Sequence, residues 1–303
     1  MSAPAVAVLG TGRLGGAIAT TLLAAGHPTA VWNRSPDRTA PLVKAGATVA
    51  ATPAEAAATA SLVILCVTDD KAAQEILARL GTATSGRTLV NVTTSVPEQA
   101  RSAAAWAAEH GTDYLAAAAM TDYRMIGGPE THLLYAGPRA AYERHEPTLL
   151  VLGGGARYVG TDHGVAALFD MSMNSLYFEF WIGYLHTLAL MRREGVSAAD
   201  FAPVVARTIG EIPPLMPMIA QQADKADYDP TAYGTVAEFE PMAQSVIDMR
   251  RSRGIDTERL QHLQTLLQRR IADGYGEQGP TSLIETIEAS LTRTAEAVPG
   301  GVG

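Results

Sequence analysis

One stretch limits the possible folds of this chain more than any other: residues 164–195, GVAALFDMSMNSLYFEFWIGYLHTLALMRREG, which run without a proline. Leu, Met, Ala, Phe and Trp fill it on nearly every face, Arg192 and Arg193 stand in the expected last turn, and Gly195 suits the position just past a helix end. Such a helix must be surrounded, by protein or by lipid. A bilayer span needs about twenty apolar residues almost free of charge, and residues 171–191 contain Asn174, Glu179 and His186. The reading is therefore a helix buried between domains or subunits. Asp170 stands at its start, and helical spacing puts Asn174, Tyr177 or Phe178, and Trp181 on the same face. That face is the candidate active-site wall.

At 303 residues the chain is long enough for two domains with separate cores, and 47% hydrophobic with 18% charged residues is ordinary globular composition. A net charge of −8 without a Lys/Arg run argues against nucleic acid, an anionic membrane or a polyanionic substrate, all of which reward dense positive charge. The single cysteine, Cys66, has no partner for an internal disulfide and reads as a small buried hydrophobe within SLVILCV. MSAPAVAVLGTG has no basic leader and flows into a glycine turn, so it reads as a strand and the expected compartment is the cytoplasm. Alanine richness with few lysines suggests a GC-rich bacterial genome, and the tail PGGVG after Ala297 is expected to be disordered.

The N-terminal run ends in Gly10-Thr11-Gly12-Arg13-Leu14-Gly15, followed by the helical GAIATTLLAAG and then PTAVWNR. A G-x-G-x-x-G that follows a strand and opens a helix is the context a dinucleotide requires. Gly10 permits the tight turn, Gly12 lets the backbone approach a pyrophosphate, and Gly15 lets helix and strand pack closely. NAD binders place an acid about twenty residues further on to hold the ribose 2′-OH. Here Asn33, Arg34, Ser35 and Arg38 stand in that region, two cations and two hydrogen-bonding groups, which favour the 2′-phosphate of NADP(H).

Further strands and helices alternate in an order that fits a parallel βα array. The loops after SLVILCV and TLVNV fall at the carboxyl edge of the sheet, where the ligand crevice of such a fold opens, so Val67, Thr68 and Asn91 are candidate cofactor neighbours, as are the hydroxyls of Thr93, Thr94 and Ser95, a run that equally suits a helix cap. From Ser197, a plausible N-cap, the remainder reads as helices, broken at Pro213, Pro214 and Pro217, with Ser282 and Glu285 resembling a capping box for the last helix. The expected domains are 1–163 (Rossmann), 164–195 (long interdomain helix) and 196–303 (helical). An all-helical C-terminal part cannot wrap a long helix unaided, which points to a second subunit.

These residues together resemble a family. GTGRLG with WNRSP, the loop MIGGPE before LLYAG, the Gly-x5-Asp pattern from Gly164 to Asp170, and RGID in the helical C-terminus are similar to bacterial NADPH-dependent imine reductases and reductive aminases, of the β-hydroxyacid dehydrogenase superfamily. The resemblance spans nearly the whole chain. It implies a domain-swapped homodimer with a composite active site, in which the long helix of each subunit is wrapped by the other's C-terminal helices. Hydroxyacid dehydrogenases carry a Lys-x3-Asn pattern on this helix; here Asp170 and Asn174 keep the spacing with an acid in the lysine's place. A carboxyl suits an iminium, and partial burial would raise its pKa, so Asp170 is expected to donate a proton to the imine nitrogen or to stabilise the cation. The family's tyrosine two turns on falls at Phe178, with Tyr177 its neighbour. Phe239 and Glu240 match a substrate-facing pair of the helical domain, and Met120 and Tyr123 complete the expected substrate contacts.

The function so implied is NADPH-dependent reduction of cyclic or preformed imines to amines, chiral ones included. Two alternatives stand beside it. A hydroxyacid or aldehyde-acid reductase needs a cation for the substrate carboxylate, for which Arg124 is available in sequence. A non-catalytic NADPH-binding dimer needs only the cofactor site.

Overall fold

The computed structural model describes residues 3–297, so the PGGVG tail lies outside the described residues. The chain divides into two compact units, Met1–Phe178 and Glu179–Gly303.

The first unit is built on β1 (Val6–Leu9), whose four residues are fully buried because both of its faces are covered. Alternation sends Val6 and Val8 into one core layer and Ala7 and Leu9 into the other. After α1 (Arg13–Ala24) comes β2 (Thr29–Trp32), then α2 (Ala40–Lys44), β3 (Thr48–Val49) and α3 (Pro53–Ala58). The series continues with β4 (Leu62–Leu65), α4 (Asp70–Leu80), β5 (Thr88–Asn91), α5 (Pro97–Glu109) and β6 (Asp113–Ala119), and β7 (His132–Ala136), α6 (Arg139–Leu149) and β8 (Gly155–Gly160) close the sheet. The order is β3-β2-β1-β4-β5-β6-β7-β8, a Rossmann-type arrangement extended at one side.

One pairing departs from the parallel array. Strands β6 and β7 run antiparallel, with Ala116 opposite Ala136. Their connection holds only a single 3-10 turn, Tyr123–Met125, and no crossover helix among the described residues, so the chain turns back. Where a helix does intervene, as α6 does before β8, the pairing is parallel again.

The long stretch forms one helix, α7 (Gly164–Arg193). Gly195 takes a positive φ of 79° and the Val196 N–H returns to the Met191 carbonyl, the expected terminator. The start is fixed by Asp162, which accepts from the Gly164 N–H and pairs bidentately with Arg101. In the single chain much of the apolar surface of α7 faces outward, Phe178 being 64% and Trp181 50% exposed.

The second unit is helical: α8 (Ala198–Ile209), α9 (Met216–Lys225), α10 (Val236–Ser252), α11 (Glu258–Ala272) and α12 (Leu283–Ala297). Ser197 caps α8 through the Asp200 N–H, and Pro213 and Pro214 lie in the turn that separates α8 from α9 as expected, whereas Pro217 is accommodated in the first turn of α9. The core cluster is thin: Val236, Ala243 and Leu267, with Phe239, Leu263 and Leu283 against them. Ser282 and Glu285 do not form a capping box. The buried Ser282 hydroxyl has no hydrogen-bond partner, and Glu285 accepts from the Tyr228 phenol, a distant partner that outcompetes the local one.

Candidate active site

The turn after β1 has one geometry because three glycines allow it. Gly10 sits at φ +96°, and a Cβ there would meet the Cys66 carbonyl oxygen at 2.1 Å; a Cβ on Gly15 would meet the Gly10 oxygen at 2.0 Å. Gly12 differs: nothing lies within 4 Å of where its Cβ would be. That open side faces a cleft of about 380 Å³, at the N-terminus of a twelve-residue helix with no acidic residue in its first turn. Exposed N–H groups and the positive end of the helix dipole suit a pyrophosphate there, so these residues fit a dinucleotide.

Gly10, Gly12, Arg13, Leu14 and Gly15 line the cleft from one side, Asn33, Arg34, Ser35 and Arg38 from the β2 end, and Val67 and Thr68 from the loop after β4. Asn33 acts mainly as a brace. Its side-chain oxygen accepts from the Thr11 N–H at 3.0 Å and its amide donates to the Ser35 carbonyl at 2.9 Å, tying the glycine turn to the arginine loop. Asn91 and Thr93 stand behind the wall: both are buried, the Asn91 side-chain oxygen accepts from the Thr93 N–H, and the Thr93 hydroxyl accepts from the Val67 N–H. The neighbouring Thr94 lines the cleft instead. Cys66 is buried behind the glycines, its thiol pushed up to about 12 by burial, and behaves as a small hydrophobe.

Asp170 is half-buried on α7. Burial raises its carboxyl above the ordinary carboxylate range, opposed by hydrogen bonds from Asn174 and Thr94. The Asn174 amide reaches Oδ1 at 3.0 Å and the Asp170 backbone carbonyl at 2.9 Å, an i,i+4 clasp that fixes the acid's rotamer. Thr94 lines the cofactor cleft, and its side chain also acts on the acid, holding the Asp170 carboxyl down against the effect of burial.

Comparison with known proteins agrees with this geometry. Residues 5–160 match the family model described as NAD binding domain of 6-phosphogluconate dehydrogenase, and residues 162–289 match NADPH-dependent reductive aminase-like, C-terminal domain. A reductive aminase from Aspergillus terreus, solved in complex with NADPH and ethyl-5-oxohexanoate, is 32% identical over 94% of this chain and 99% of that one, with a TM-score of 0.87. The chain belongs to the imine reductase and reductive aminase family. An imine reductase from Myxococcus stipitatus, in complex with NADP+, aligns at 27% identity and a TM-score of 0.87 over 93% of this chain and 99% of that one. The NADPH-dependent reductive aminase of Aspergillus oryzae is 27% identical over 92% of this chain and 96% of its own length.

Within this family member the remaining expected residues lie as follows. Met120 packs half-buried against the first unit's core, and Tyr123 is partly exposed in the 3-10 turn. Tyr177 and Phe178 make an edge-on aromatic pair on α7. Phe239 and Glu240 belong to α10, where Phe239 packs on the second unit's core and Glu240 accepts from Gln264 and Gln268. Arg124, the cation an acid-reducing enzyme would use, is held by Asp122 at 2.7 and 3.1 Å. Sequence reasoning passed over Arg79 of α4, which lines the cleft with its guanidinium 4.9 Å above the Trp32 ring. No local pattern links two residues so far apart in the chain.

Proposed function

We propose that this chain is an NADPH-dependent imine reductase, reducing cyclic or preformed imines and iminium ions to amines. The observation that carries the reading is Asp170, a carboxyl raised by burial and clasped by Asn174, sharing Thr94 with the cofactor cleft. Bound NADPH supplies hydride to the imine carbon. The chain's residues do the rest: the glycine turn and Arg34 and Arg38 hold the dinucleotide, while Asp170 donates a proton to the imine nitrogen or, ionised, stabilises an iminium. Where the imine carbon bears two different substituents the product is a chiral amine. We assign substrate contact to Met120, Tyr123, Asn174, Tyr177, Phe178 and Trp181. The division of labour then follows the chain, with 1–163 for cofactor, 164–195 for the acid and 196–303 for assembly.

The assembly we propose is a homodimer in which helices of a second copy cover α7 and contribute Phe239 and Glu240 to a composite active site. The outward apolar residues of α7 and the thin core of the second unit support it; light scattering should give twice 31.8 kDa. We place the enzyme in the bacterial cytoplasm, in keeping with its single, buried cysteine. No helix of the described residues is long and apolar enough to cross a membrane.

The test is NADPH oxidation with a five- or six-membered cyclic imine, run beside glyoxylate and a β-keto acid, for wild type and Asp170→Ala. The expected result is imine turnover that falls about a hundredfold in the variant, the scale of losing a proton donor. Turnover of the acids alone would move the reading to a carbonyl reductase. Oxidation with none of the three would leave a cofactor-binding dimer.

A further inference from the structure

The arginines of the cofactor cleft number more than the strand-end loop supplies. Arg13, Arg34, Arg38 and Arg79 all line it, and none of the four forms an ion pair among the described residues. In a chain of net charge −8, four guanidinium groups without an ion pair around one cleft mark a place for anionic charge. The only carboxylate lining it is Glu75, one helical turn before Arg79 on α4, and the two are not paired.

Arg79 differs from the others in how it is held. Its guanidinium stands 4.9 Å above the Trp32 indole, within reach of a cation–π interaction, and Trp32 is the buried last residue of β2, immediately before Asn33 and Arg34. A second cavity of about 320 Å³ adjoins the first through shared walls of Trp32, Asn33, Arg34 and Arg79. Arg79 therefore stands at the wall common to both hollows. A cation–π contact with the ring face restrains the guanidinium, so less entropy is lost when it binds an anion.

We propose that Arg79, pre-oriented on Trp32, is a cofactor-specificity residue that recognises the 2′-phosphate end of the adenosine together with Arg34 and Arg38. The proposal rests on the NADPH reading given above. Arg79→Met retains length and packing on the indole while removing the charge, and Arg79→Lys retains the charge while losing the planar fork.

The experiment measures dissociation constants of NADPH and NADH by nicotinamide fluorescence, and of 2′,5′-ADP and 5′-AMP by calorimetry, on the full-length wild type and both variants. Removing one exposed charge-assisted hydrogen bond predicts about a tenfold weakening for NADPH and 2′,5′-ADP in Arg79→Met. NADH and 5′-AMP should change less than about twofold, since they lack the recognised group. Arg79→Lys should recover part of the affinity. Equal weakening of all four ligands would show a merely structural role and overturn the proposal, as would an NADPH constant unchanged in Arg79→Met while the wild type prefers NADPH to NADH. A wild type that binds NADPH no better than NADH would instead overturn the cofactor reading itself.

Discussion

Two glycine-to-alanine substitutions in one turn should separate folding from cofactor binding. At Gly15 an added methyl meets the Gly10 carbonyl at 2.0 Å, where real Cβ atoms stay beyond 3.0 Å, so α1 must retreat from the strand turn by about 1 Å. Forcing such a shift in a packed layer costs about 1–3 kcal/mol, and at about 2–4 °C per kcal/mol for a domain of this size the melting temperature should fall by roughly 3–10 °C. At Gly12 the methyl meets nothing, and φ −65° with ψ −164° is open to alanine. Gly12→Ala should therefore alter stability of the free protein by no more than about 1 kcal/mol, the range for an N-cap change. The same methyl fills the space where a pyrophosphate approaches, and each charge-assisted hydrogen bond broken there is worth about 1.5–3 kcal/mol, or at least tenfold in affinity. Thermal melts with and without NADPH read both effects. At a hundred times its dissociation constant NADPH stabilises wild type by about 2.7 kcal/mol; Gly12→Ala at that concentration should keep no more than about half of this gain. A Gly12→Ala protein that melts like wild type and binds NADPH equally well would refute the assignment of the glycine turn to the pyrophosphate.

Because the Asp170 carboxyl is raised by burial, its protonated form persists above the usual carboxylate range; kcat/KM for an imine should be full below the raised pKa and fall as pH climbs through it, and Asp170→Asn should flatten the profile. Asp162 is held at about 2, chiefly by the hydrogen bond from Arg101. Its folded pKa is depressed, so its stabilisation is present above the unfolded value of about 4 and is lost as pH falls towards about 2; acid titration of Asp162→Asn by circular dichroism should lack that component. The buried Cys66 thiol, pushed up to about 12, should resist an aromatic disulfide reagent in the native protein and react fully after denaturation.

The parts of the molecule legible in sequence are those whose cause is local. The glycine turn, the C-terminal end of α7 and the N-cap at Ser197 each depend mainly on residues within one or two turns, and each stands where the pattern places it. The antiparallel β6–β7 pair was not legible, because it depends on what the connection lacks. Ser282 and Glu285 have the spacing of a cap, yet Tyr228, 57 residues away, takes the carboxylate. In the site, a run of hydroxyls announced a functional loop without saying which one faces the cleft: Thr93 turns inward to Val67, and Thr94 reaches Asp170. The exposed face of α7 shows the same limit, since an all-apolar helix calls for a cover without saying which chain would supply it.

Thr94 makes two equilibria into one. Its side chain lowers the Asp170 pKa while the residue lines the cofactor cleft, so a ligand that displaces that side chain would alter the proton affinity of the acid. The coupling is reciprocal: protonating Asp170 must change the cofactor's affinity by the same factor. Binding of a dinucleotide that displaced the Thr94 side chain would be accompanied by uptake or release of a fraction of a proton.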